Sequence, residues 1–101
     1  MAIFRILEAT ARPGAIEQLS EMLVRQEREV VAGASGIVFA QSLRSGDSVM
    51  AVSSWQSVED MQHYLEQPVT REFYAALPEL LMGTPSIRTY EEIGPGDGSG
   101  R

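Results

Sequence analysis

The chain has 101 residues, 44% of them hydrophobic, enough for one domain with a modest core and too few for two. Eight basic residues against fourteen acidic ones give a net charge of -6, which argues against nucleic acid and anionic membrane surfaces as partners, since both require a basic patch. All eight basic residues are Arg, and there is no Lys, Cys or Asn, which removes Schiff-base chemistry, thiolate nucleophiles, disulfides and sulfur metal sites.

Ile3 to Thr10 reads as a strand by its period of two, with Ile3, Arg5, Leu7 and Ala9 on one face and Phe4, Ile6, Glu8 and Thr10 on the other. Arg12-Pro13-Gly14 is a turn signal. From Ile16, apolar residues at Leu19, Met22, Leu23, Val30 and Val31 recur at helical spacing, predicting an amphipathic helix of about four to five turns that ends near Gly33. Gly36 to Arg44 and Val49 to Trp55 are predicted strands joined by the compact hairpin Ser45-Gly46-Asp47. Ser57 suits an N-cap, and Glu59 and Asp60 favour the positive end of the helix that follows, which Gln67-Pro68 stops. A further helix begins near Val69 or Thr70, is disturbed by Pro78 and ends by Gly83, and the last strand is expected over Pro85 to Ile93.

The order β-α-β-β-α-(α)-β predicts an α+β domain over 1–93, a ferredoxin-like split βαβ arrangement with a four-stranded antiparallel sheet and helices on one side. The Gly-rich stretch 94–101 is expected to be a disordered tail. Phe4, Ile6, Met50 and Val52 would then form an apolar patch on the helix-free face, for which a homodimer is the economical solution. With one His and no carboxylate cluster, no metal site is expected. The N-terminus shows no signal-peptide pattern and no apolar run reaches membrane-helix length, so a soluble cytoplasmic protein is the default expectation.

The chain resembles the antibiotic-biosynthesis-monooxygenase-like family of dimeric α/β barrels from about Ile3 to Ile93. The resemblance is carried by Arg12-Pro13-Gly14, Gly36, Trp55 with Ser57-Val58-Glu59-Asp60 after it, His63-Tyr64-Leu65, Pro68, Phe73, and Pro85 leading to Tyr90-Glu91. It implies a cofactor-independent monooxygenase that acts with O2, as co-substrate, on an aromatic, quinol or polyketide-like small molecule. A non-catalytic binding or accessory module of the same fold is the alternative. The anthrone-oxidising branch of that family places an Asn four residues before the strand Trp and a Tyr six after it. Those positions are Ala51 and Met61 here, and Trp55 alone is retained. The haem-degrading branch uses an Asn, a Trp and a His where this chain has Leu7, Tyr64 and, within a residue, Tyr74, so haem binding ranks last.

Candidate catalytic residues are His63, Trp55 and Tyr64. His63, with an unperturbed pKa of about 6.5, suits a general base that creates a phenolate or carbanion able to pass an electron to O2, although its helical position falls between inward-facing ones. Trp55 either fills space beneath a helix or walls a substrate pocket and donates its indole N–H. Candidate substrate-binding residues are Arg5, Ser53, Gln41, Tyr74 and Arg88. Arg5 and Arg88 each interrupt an apolar strand face and must either pair with Glu8, Glu91 or Glu92 or face a cavity as anion partners. Ser53 shares the face of Trp55, and Phe39 and Phe73 are expected in the core.

Overall fold

The computed structural model describes residues 2–94, so the expected tail lies, beyond Gly94, outside the described residues. The elements follow in the predicted order: β1 (Ile3–Ala11), α1 (Ile16–Gly33), β2 (Ile37–Ser45), β3 (Ser48–Trp55), α2 (Val58–Glu66), α3 (Pro68–Ala76), a 3₁₀ turn (Leu77–Glu79) and β4 (Leu81–Glu91). The strands form one antiparallel sheet in the order β2-β3-β1-β4.

Cross-strand register sorts the side chains. Ile3 opposite Trp55, Arg5 opposite Ser53 and Leu7 opposite Ala51 lie on the face the helices cover. Phe4 opposite Ser54, Ile6 opposite Val52 and Glu8 opposite Met50 lie on the other, so the expected apolar patch shares the helix-free face. Phe39 joins it: its ring meets that of Phe4 edge-on at 5.7 Å, and the small Ser54 between them is buried. Phe39 is therefore not a core residue beneath the helices, as its aromatic character suggested. It is more than a third exposed.

Beneath the helices the core falls into two clusters. Leu7, Ala11, Leu19, Leu23, Val49, Leu77, Leu80 and Leu81 pack at one end, and Ile3, Val30, Trp55 and Met61 at the other. Along α1 the buried stripe is Leu19, Leu23, Gln26 and Val30, and Val31 turns outward. The polar Gln26 lies where the two clusters meet.

β4 starts at Leu81, four residues before the predicted Pro85. It is an edge strand, where a residue without an N–H is tolerated. A bulge opposite Glu8 to Thr10 takes up Gly83, Thr84 and Pro85, so the two residue types read as breakers sit where the ladder skips.

Ser57 caps α2 as expected, its Oγ accepting from the Asp60 N–H at 3.1 Å and donating to the Asp60 carboxylate at 2.9 Å. Gly36 has φ +76°, and a methyl added there would run into that same Asp60 carboxylate. Gly36→Ala is expected to lose about 1–2 kcal/mol for the left-handed backbone alone, and more because Asp60 must leave the cap. Gly46→Ala, with φ +60° and open space around it, should lose only the backbone part. Urea denaturation of the two variants checks the difference, and equal losses would count against the Asp60 clash.

Candidate functional site

A cavity of about 50 Å³ lies between the helix-facing side of the sheet and α1, α2 and α3. Arg5, from the central strand β1, enters it beside Ser53 of β3, Tyr64 of α2, Tyr74 of α3, and Gln26 and Glu27 of α1. Apolar walls come from Leu7, Leu23, Val30, Ala51 and Phe73. At this size the cavity holds one or two waters, or dioxygen, and no aromatic ring system, since a single water occupies roughly 30 Å³.

Arg5 is the one basic residue that lines it. Its Nη2 lies 3.5 Å from the Tyr74 hydroxyl, a long contact, and its Cζ stands 5.6 Å over the Tyr74 ring. Its Nε is buried with no hydrogen-bond partner. The expected ion pair with Glu8, Glu91 or Glu92 is absent. Glu8 is on the helix-free face, and among the described residues the salt bridge present is the exposed Arg44–Glu17 pair at 2.9 Å. A guanidinium that forms no salt bridge inside a small cavity is a ready partner for an anion.

The other polar groups are ordered around it. Gln26 Nε2 donates to the Tyr64 hydroxyl at 3.1 Å, and Ser42 Oγ donates to Glu27 Oε2 at 2.8 Å, fixing the carboxylate on the cavity wall. Burial pushes the Tyr64 phenol above its ordinary pKa of 10.0, outweighing the opposing pull of the Gln26 amide and the Arg5 guanidinium. Tyr64 is therefore a neutral hydrogen-bond donor at physiological pH. Because folding holds this proton to higher pH than the unfolded chain does, the native state loses stability as pH climbs past about 10. An ultraviolet titration should show a late-ionising tyrosine, and Tyr64→Phe should remove that step.

Trp55 stands behind this cavity and does not line it. It is fully buried, its ring stacks on Tyr64 at 5.0 Å, and its Nε1 donates to Ser53 Oγ at 2.9 Å. The reading of Trp55 as a pocket wall is thus replaced: it positions Tyr64 and Ser53, which do face the space. His63 is not in this cavity. It is exposed on α2, where Nε2 and the backbone carbonyl both meet Gln67 Nε2, at 3.3 and 3.1 Å. The α-helical step that carries Tyr64 inward carries the preceding residue out. Arg88 pairs with Ile6 and so lies on the helix-free face, on the other side of the sheet from Arg5. Gln41 pairs with Val52, which gives its side chain the same face, while its strand segment between Ala40 and Ser42 borders the cavity.

Of the residues singled out in the sequence, then, Arg5, Ser53, Tyr64 and Tyr74 come together, and His63, Trp55, Arg88 and the Gln41 side chain do not. Gln26 and Glu27 were missed. Their signal was present as a polar interruption in an otherwise apolar stripe, between Leu23 and Val30, at the spacing that faces the sheet.

No family model and no curated protein matches the sequence. Solved structures do match in shape. Rv0793 from Mycobacterium tuberculosis superposes with a TM-score of 0.87 at 16% identity, covering 96% of this chain and 100% of that one. A candidate antibiotic biosynthesis monooxygenase from Deinococcus radiodurans gives 0.85 at 15% identity over 94% of this chain and 96% of its own. Another from Caulobacter crescentus CB15 gives 0.84 at 16% identity over 92% and 91%. The chain has the fold of the antibiotic-biosynthesis-monooxygenase-like proteins.

Proposed function

We propose that the protein is a cofactor-independent monooxygenase for an enolisable or phenolic aromatic small molecule, with O2 as co-substrate. The observation that carries this reading is Arg5: a guanidinium with a buried, unpartnered Nε, set among two phenols and an amide with one carboxylate on the wall. In the reaction so read, Glu27 removes a proton from a methylene activated by the adjoining ring. The charge that develops on the conjugated oxygen is met by Arg5 and by the Tyr64 hydroxyl. The carbanion passes an electron to O2 and the resulting radicals join as a C–O bond, giving a peroxide that takes a proton back from Glu27. Loss of the second methylene proton to Glu27, with cleavage of the O–O bond, leaves a ketone, and the departing hydroxide becomes water. The balance is CH2 + O2 to C=O + H2O, with no external reductant.

Glu27 replaces His63 as the base in this scheme because it alone among the carboxylates lines the cavity, and His63 lies outside it. Incubation with a panel of anthrones and hydroquinones in an oxygen electrode, with anaerobic controls, tests the reading. Oxygen uptake no faster than background across the whole panel would sink it. A non-catalytic binding module is the second reading, favoured by the small volume of the cavity.

We also propose that the working unit is a homodimer joined through the helix-free face, where Ile6, Val52, Leu43 and Phe39 leave apolar surface facing water. Sedimentation velocity at micromolar concentration is expected to show a dimer, and Ile6→Glu to shift it towards monomer. A monomeric parent chain would contradict this.

A further inference from the structure

A second, larger hollow adjoins the cavity that holds Arg5. It has a volume of about 330 Å³ and opens between the C-terminal half of α1 and the α2–α3 pair. Gln26, Val30 and Tyr64 line both spaces, so these three side chains form the partition between them. The partition is held by the 3.1 Å bond from Gln26 to the Tyr64 hydroxyl and by the stack of Tyr64 on Trp55. Pockets that hold small organic ligands start at roughly 300 Å³, so the hollow admits a two-ring molecule where the inner cavity does not.

Three features describe what the hollow would take. Val30, Ala34, Pro68 and Val69 give it an apolar lining. Thr70 on the same wall is wholly buried, and the one group its Oγ1 can reach is the Tyr64 phenol, whose ionisation it eases. With Tyr64 turned away, that hydroxyl would be left for a ligand oxygen to meet. Glu29 and Asp60 also border the hollow, together with His63, and no arginine does. Anions are therefore disfavoured here, whereas the inner cavity presents Arg5.

We propose that this hollow is the docking site for a neutral planar phenol or enol of one or two rings, which reaches Arg5 when Tyr64 swings away from Gln26. The passage inward rests on the proposed function; the docking step does not. The molecule would meet carboxylates while neutral, and an arginine once it becomes an anion.

Isothermal titration calorimetry of the full chain at neutral pH tests this, with 2-naphthol as the neutral probe and 2-naphthoate as its anionic counterpart. Saturable naphthol binding is expected, with naphthoate at least tenfold weaker. Val69→Trp and Ser35→Trp, at exposed positions on opposite walls, should each fill the hollow and weaken naphthol binding at least tenfold. Two variants are used so that misfolding of one leaves the other decisive. Naphthol binding within twofold of the parent in both, naphthoate binding as well as naphthol, or no saturable binding by the parent at millimolar naphthol would each overturn the proposal. Arg5→Met separates the two readings. If it abolishes naphthol binding while the tryptophan variants leave it intact, the ligand sits in the inner cavity and the hollow proposal falls alone. If the tryptophan variants abolish binding while Arg5→Met leaves oxygen uptake unchanged, docking stands and the oxygenase reading falls.

Discussion

Replacing Arg5 with Met is expected to lower turnover of an enolisable substrate by at least about 100-fold, the usual effect of removing one preorganised partner of a developing oxyanion. The same substitution is expected to make the protein more stable, on the order of 1 kcal/mol, because it removes a buried Nε that bonds to nothing and a charge that forms no salt bridge. The opposed signs matter. A residue kept for structure loses stability when it is truncated, whereas a residue kept for chemistry holds an unsatisfied group that the fold would be better without. Arg5→Lys keeps the charge but loses the planar fork, and should recover part of the rate. Oxygen uptake gives the first measurement and urea denaturation the second. A variant that loses stability and keeps its rate would reverse the assignment.

Trp55→Ala is expected to be the most damaging single truncation, at about 3–5 kcal/mol. Its side chain is entirely buried, joins Ile3, Val30 and Met61 in one of the two core clusters, and supports the Tyr64 ring from behind. Domains of this size hold only about 5–15 kcal/mol in total, so the variant should approach the point of unfolding at room temperature. Trp55→Phe preserves an aromatic surface for Tyr64 but removes the donor to Ser53 Oγ, and should show a smaller loss together with altered ligand affinity. Far-ultraviolet circular dichroism in urea follows both, since these substitutions remove the chain's only Trp fluorophore. A midpoint for Trp55→Ala close to that of the parent would show that the ring is not a packing element.

Much of this fold was legible because each element carries its own period. The alternation from Ile3 to Thr10 assigned Arg5 and Phe4 to opposite faces before any partner strand was known, and the register agrees. Ser57 with Asp60 three residues on was readable as a cap, and caps are local chemistry. What was not legible depends on partners. Arg88 and Arg5 look alike in sequence, but which face Arg88 takes is decided by its register against β1, where it pairs with Ile6, and no local signal records that register. Glu27 acquires meaning only because Ser42, fifteen residues away on β2, holds its carboxylate to the wall. His63 was conspicuous as the sole imidazole, yet its neighbour Tyr64 takes the inward position, and a single helical step decides which of the two meets the cavity.

The placement of β1 between β3 and β4 has a consequence for how the sheet assembles. Ile3 pairs with Trp55 on one side and with Glu91 on the other, and the N–H of Glu92 reaches the carbonyl of Ala2 at 2.8 Å. Pairing β1 on both sides thus requires β4, the last of the described strands in chain order. The hairpin of β2 and β3 can zip by short-range closure, whereas the pairing of β1 with β4 joins segments far apart in sequence and carries the larger loop-closure cost. The same adjacency brings the first and last strands side by side, so a permuted chain joined there and opened at the exposed Gly46 should recover the same sheet, folding by a different order of events.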